Sequence, residues 1–173
     1  MAVLADLEKI PWANHEHDYG LATDVPDMIR QLTSHDKVTC RHAAHTLRIT
    51  ALGTEPEEDI LHSFVVFLPP FLIELLQSPI AIHKEPILHV LSALAAEDTG
   101  LYKNAREGNT AWHASYKISL QEMGELDQAI AEAKQIHETI RAGLPIYEQL
   151  RNSDDAEVSQ AAAKLIAAVL SRA

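Results

Sequence analysis

The sequence predicts an all-α protein, and three observations carry that expectation. Hydrophobic residues make up 47% of the 173 positions, yet aromatic residues only 5%, so the core is Leu, Ile, Val and Ala. Glycine is scarce, at 6 residues, which leaves few of the tight turns that a sandwich or barrel needs. Apolar residues recur three and four apart over most of the chain, the spacing of a helix face. A chain of this length suits one domain with a real core, and we read 1–173 as a single unit.

Residues 3–10, "VLADLEKI", are expected to form a short amphipathic helix ended by Pro11. With the loop that follows, residues 1–23 form an N-terminal cap, in which Trp12 and Tyr19 are expected to close the core. In "TDVPDMIRQL", Asp24 is placed to cap a helix, Pro26 suits the first turn, and Asp27 adds negative charge at the positive helix end. Residues 34–36 form a tight turn. A second helix then has Val38, Ala44, Leu47 and Ala51 on its buried face and Arg41, His45 and Arg48 on the other side. Residues 24–53 thus read as one helix hairpin.

"GTEPEED", residues 53–59, is an acidic loop. Residues 60–96 read as a second hairpin: "ILHSFVVFLPPFLIELLQ", bent at Pro69 and Pro70, then a turn broken by Pro79, then "KEPILHVLSALAAE". Residues 97–116 hold Gly100 and Gly108 and are expected to be an irregular loop. "ISLQEMGELDQAIAEAKQIHETIRAG" is rich in good helix formers. Pro145 kinks or restarts the helix, residues 152–155 turn, and Val158, Ala161, Ala162, Leu165 and Val169 form the packed face of the last helix. We read 126–171 as the third hairpin.

"IRQLTSHDKVTCRHAAHTL" and "YEQLRNSDDAEVSQAAAKL" share an order: Gln-Leu at a helix end, a polar Ser/Asp turn, a Val, then paired alanines and a Leu. The turn Asp caps the next helix, and the small residues allow close helix approach. This pattern resembles the HEAT repeat family, helix-hairpin stacks with Pro-bent first helices and Asp-x-x-Val turns. The resemblance is good over 145–170 and fair over 24–52. Residues 60–95 share the outline through "VFLPPFLIELL" but lack the Asp-Val turn. "HDYGLATDVPDMIRQL" and "IRAGLPIYEQLRNSDDAEV" also resemble segments of small bacterial HEAT-like proteins, some linked to toxin loci. The resemblance implies a right-handed α-solenoid of about three to four antiparallel hairpins, each burying its apolar face against the next.

The formal charge of -11 disfavours nucleic acid and anionic lipid and suits a basic protein partner. The N-terminus lacks the pattern of a signal peptide, "FVVFLPPFLI" is too short to span a bilayer, and the single cysteine, Cys40, fits a reducing cytoplasm. His15, His17 and Asp24 form a weak candidate metal set, and His42 with His45 a weaker one flanked by Arg41 and Arg48; solvated histidines are the simpler reading. Cys40 reads as a small core residue, because His42, two positions on, points elsewhere on a helix. The sequence holds no phosphate loop, zinc spacing or calcium loop. We therefore expect no catalytic residue and no cofactor or metal.

Recognition remains. In a hairpin stack the second helices line the concave side, which here offers Arg41, His45 and Arg48, then Glu85, His89 and Ser92, then Gln160 and Lys164. Arg and His there could grip an acidic loop of a partner. The acidic set Glu55, Glu57, Glu58 and Asp59, with Glu97 and Asp98, could instead cover a basic active site. The resemblance implies a bacterial immunity protein that binds and neutralises a cognate toxin. The alternatives are a ligand-binding protein or lyase, with His89, Tyr102, Trp112 and His113 in the groove, and an adaptor in a larger assembly.

Overall fold

In the computed structural model of the chain, residues 4–53, 62–96, 124 and 126–171 are described, and they are mostly α-helical. Seven α-helices lie among them: α1 (Val25–Gln31), α2 (Lys37–Leu52), α3 (Leu68–Gln77), α4 (Glu85–Ala96), α5 (Leu126–Ala142), α6 (Leu144–Arg151) and α7 (Ala156–Leu170). Short 3-10 turns precede α1 and α3. A two-residue antiparallel ribbon, Glu16–His17 with Gly20–Leu21, decorates the N-terminal segment.

The order of packing follows the hairpins. Helix α1 lies on α2, α3 on α4 and α6 on α7, while α4 packs against both α2 and α7. Helix α5 sits against α3, α4 and the Ser63–Phe67 turn. The third hairpin is therefore α6 with α7, and α5 is an additional helix rather than the long first arm of a 126–171 hairpin. Gly143 and Pro145 explain the break. Pro145 lies in the first turn of α6, where no intrahelical N–H is needed.

The turn aspartates behave as their sequence context predicts. Asp36 accepts from the backbone N–H groups of Val38 and Thr39, and Asp155 from those of Glu157 and Val158. The Thr39 hydroxyl also donates to Asp36, and these bonds hold the Asp36 carboxyl below its usual pKa. At the other end of α2, the Gly53 N–H donates the last helix bond to the Ile49 carbonyl, and Gly53 then leaves the helix at φ 77°, ψ 175°, a conformation that favours glycine. Asp36→Ala and Asp155→Ala are each expected to lower the melting temperature by about 2–4 °C, the loss of one cap in a domain of this size, as calorimetry will read.

Four local expectations are corrected. Residues 4–10 hold only a 3-10 turn at Leu7–Lys9; Leu7 is buried, but Leu4 sits at φ 64°, outside the right-handed helical region, and Pro11 follows. Asp24 makes no capping bond, because a 3-10 turn runs straight into α1 and leaves Asp24 in helical φ/ψ. Pro69 and Pro70 do not bend a helix. They begin α3, because a helix running through them would press each ring on the carbonyl four residues back. Val38, which the periodicity places inside, is 74% exposed in the first turn of α2.

The packed face of α7 is as the pattern predicts: Val158, Ala161, Ala162, Leu165 and Val169 are all buried. Ala44, Leu47 and Ala51 are buried on α2. Trp12 is buried, with its indole N–H donated to the Leu7 carbonyl at 2.7 Å and its ring edge-on to Phe67. Tyr19, its expected companion, is 65% exposed at the ribbon turn. The aromatic partner of Trp12 is instead the half-buried Phe67, while the buried Phe64 meets His17 and His62.

Candidate functional site

The helix packing brings residues far apart in sequence onto one groove. Helices α2 and α4 lie side by side, and a concavity of about 190 Å³ opens between them. Arg41, His45 and Arg48 line one wall, at the helical spacing of four and three that puts them on one face of α2. Glu85 and His89, four apart on α4, line the other, with Ala44, Pro86 and Val90 as the floor. Five of the residues that the sequence nominated for partner binding therefore converge: Arg41, His45, Arg48, Glu85 and His89.

The charges within this groove are unequally occupied. Arg41 Nε lies 3.2 Å from Glu85 Oε2, and its Nη2 lies 3.1 Å from Glu157 Oε1 on α7. These carboxylates, Glu85 first, hold the guanidinium pKa above its ordinary value. Glu157 also pairs with Lys37, and this pairing with the Arg41 bond holds its carboxyl below the usual range. Glu85 reaches in turn to His89 Nε2 at 3.1 Å. The result is an alternating chain, Lys37–Glu157–Arg41–Glu85–His89, that ties α2, α4 and α7 together at the ends where they begin. Exposed pairs of this kind contribute little each, and a network fixes geometry more than stability.

Arg41 is thus internally neutralised, whereas Arg48 and His45 carry no ion pair among the described residues. Gln160 and Lys164 are exposed on α7, three and seven residues beyond Glu157, so they extend the same face without lining the concavity. Ser92 is buried in α4 and its hydroxyl finds no hydrogen-bond partner among the described residues, so it is not part of the polar stripe. Glu57, Glu58 and Asp59, with Glu55, Glu97, Asp98, Tyr102, Trp112 and His113, lie outside the described residues.

The sequence reading missed Lys37 and Glu157. Nothing local marks them, because their pairing spans 120 residues. Cys40 is buried beside the groove, with its thiol 3.3 Å from the Leu32 carbonyl, and burial pushes its pKa up, the opposite of what a nucleophile needs.

The N-terminal histidines take different places from the solvated loop expected. His17 is buried. The Tyr19 backbone N–H donates to its Nδ1 at 3.2 Å, so Nε2 carries the hydrogen that meets Asp24 Oδ1 at 3.1 Å. His15 turns the other way, with Nδ1 2.8 Å from the Ser63 hydroxyl and its ring against Phe67. The candidate set His15, His17 and Asp24 therefore does not converge, and no group of three or more His, Cys, Asp or Glu among the described residues is arranged to hold a metal.

His62 stacks on Phe64 and lies 3.3 Å from Asp18 Oδ1, within ion-pair range but without an aligned hydrogen bond. Burial lowers its pKa below the ordinary 6.5, and the neighbouring His17 adds to that, while Asp18 opposes. The unfolded chain takes up this proton at higher pH than the folded one. Stability is therefore full above about pH 6.5 and is lost as the pH falls through the lower folded value. Urea melts at about pH 7.5 and about pH 5.5 are expected to show a smaller acid loss for His62→Gln than for the wild type.

No helix among the described residues is long and apolar enough to cross a membrane. Comparison with family models, curated proteins and solved structures gives no match.

Proposed function

We propose that the chain is a protein-binding helical-repeat module, a right-handed α-solenoid of HEAT-like hairpins, and that it is a bacterial immunity protein that binds and neutralises a cognate toxin in the cytoplasm. The observation that supports this most is the α2/α4 groove, where Arg48 and His45 face outward without an ion-pair partner among the described residues. The side-by-side order α2, α4, α7 is the order in which second helices follow one another in a hairpin stack. The paired Asp caps of α2 and α7 support the same repeat.

The net charge of -11 draws a basic protein at long range, and the groove then sets register by meeting an acidic loop of that partner. A lone buried cysteine suits a reducing compartment. The groove itself offers recognition chemistry: one guanidinium without an ion pair among the described residues, Arg48, two histidines, His45 and His89, and an apolar floor.

The test is affinity capture of the tagged chain from its own cells, with mass spectrometry of what comes with it. A stoichiometric protein partner is expected, and Arg48→Glu is expected to weaken the complex by about tenfold or more, as loss of a matched interfacial charge does. Capture of no protein sinks the reading. Undiminished binding by a variant carrying both Arg48→Glu and His45→Glu moves the interface off this groove, toward Glu57, Glu58 and Asp59.

A further inference from the structure

A second concavity, of about 380 Å³, lies apart from the α2/α4 groove, between the N-terminal segment, α3 and α5. Its surface is mostly apolar. Ile10 comes from the N-terminal segment, Val66 and Phe67 from the 3-10 turn, and Phe71 from α3. Its volume is within the range of about 300–1,000 Å³ that small-molecule sites occupy.

Three polar side chains interrupt this wall, Asp6, Glu74 and Gln135, the last from α5. Glu74 is the only charged residue between positions 63 and 82, a stretch otherwise given to helix packing. It stands three residues after Phe71, on the same side of α3, and is partly buried. Its described hydrogen bond comes from the Leu4 backbone N–H at 3.4 Å, near the limit for such a bond. A carboxylate accepts at about four positions, so beyond the Leu4 bond Glu74 has acceptor capacity open to the cavity. Asp6 adds a second carboxylate at the rim, where Lys9 meets it at 2.6 Å. The site thus joins an apolar floor to two carboxylates, Glu74 within the wall and Asp6 at the rim.

We propose that this groove is a binding site for a small amphipathic organic cation, an arylalkylamine or similar amine. The apolar body lies on Phe67 and Phe71, and the ammonium donates to Glu74. An anion of the same shape meets the carboxylate and is rejected. A neutral analogue gains the apolar contact alone. The site is independent of the α2/α4 groove and shares no residue with it.

The experiment titrates the full chain with phenethylamine and, separately, with phenylpropionate, which has a similar apolar body and the opposite charge. Backbone amide shifts report the site. The amine is expected to bind saturably, moving the amides of Ile10, Phe67, Phe71 and Glu74, and the acid to bind at least about tenfold more weakly. Glu74→Gln keeps an acceptor for the Leu4 N–H and removes the charge. With a melting temperature equal to wild type, it is expected to weaken the amine by about tenfold. Equal binding of amine and acid, no saturable binding of the amine, or unchanged amine affinity in Glu74→Gln overturns the proposal. If the variant does not fold, the comparison of the two ligands on the wild-type chain still decides.

Discussion

Replacing Gly143 by alanine is expected to destabilise the fold by about 2–3 kcal/mol, the range of overpacking a close-packed core. A Cβ at this position meets Tyr147 Oη at 2.3 Å and Cζ at 2.6 Å, distances that no side chain tolerates without a shift. Backbone strain is not the cause, since Gly143 has φ -76°, ordinary for any residue. The Tyr147 ring cannot move aside, because it is wholly buried in the core that α6 shares with α7. The cost is therefore steric, and a double-mutant cycle identifies it. Gly143→Ala combined with Tyr147→Leu is expected to cost less than the sum of the two single changes, by about 1 kcal/mol or more in urea melts. Additivity rejects the contact. Tyr147→Phe alone is expected to be close to neutral. The hydroxyl is buried without a hydrogen-bond partner among the described residues, and burial raises its pKa, so it contributes nothing that phenylalanine lacks.

Leu88→Ala is expected to have the largest effect of any single truncation, about 3–4 kcal/mol, near the upper part of the range for buried leucines. Leu88 is fully buried in α4, the helix that packs on α2 to one side and α7 to the other. A cavity there weakens both inter-hairpin contacts at once. If α4 couples the whole stack, the variant unfolds in a single transition at lower urea, with far-UV circular dichroism and tryptophan fluorescence coinciding. Two separated transitions indicate that the α6/α7 hairpin detaches by itself, the nearest-neighbour behaviour of a repeat array. The companion change Leu170→Ala, on a half-exposed residue of the same class, is expected to fall within about 0.5 kcal/mol of wild type.

The groove shows what one-dimensional reading resolves. Arg41, His45 and Arg48 share a face because an α-helix turns through 3.6 residues, and that periodicity is written in the sequence. That Glu85 and His89 stand opposite them follows once second helices are placed side by side. Which cation is free does not follow. Arg41 and Arg48 are equivalent in the pattern, and only the approach of Glu85 and of Glu157, 116 residues away, neutralises the first and leaves the second. The same limit applies to His17 and Asp24, seven residues apart. The pair takes its place from a 3-10 turn that converts a helix cap into a buried histidine's acceptor.

By itself, the amino-acid order determined the helical class, the turns at 34–36 and 152–155 and their Asp caps, the buried face of α7, and the outward set Arg41, His45 and Arg48 of α2. Those properties depend on local hydrogen bonding and on the helix period, and both act within a few residues. Tertiary structure alone decided the rest: that Val38 faces water, that Arg41 is spoken for, and that Glu74 lines a cavity with Phe67 and Phe71. Each depends on which segment arrives from far along the chain, and a carboxylate or a methyl group has no fixed value until its neighbours are in place.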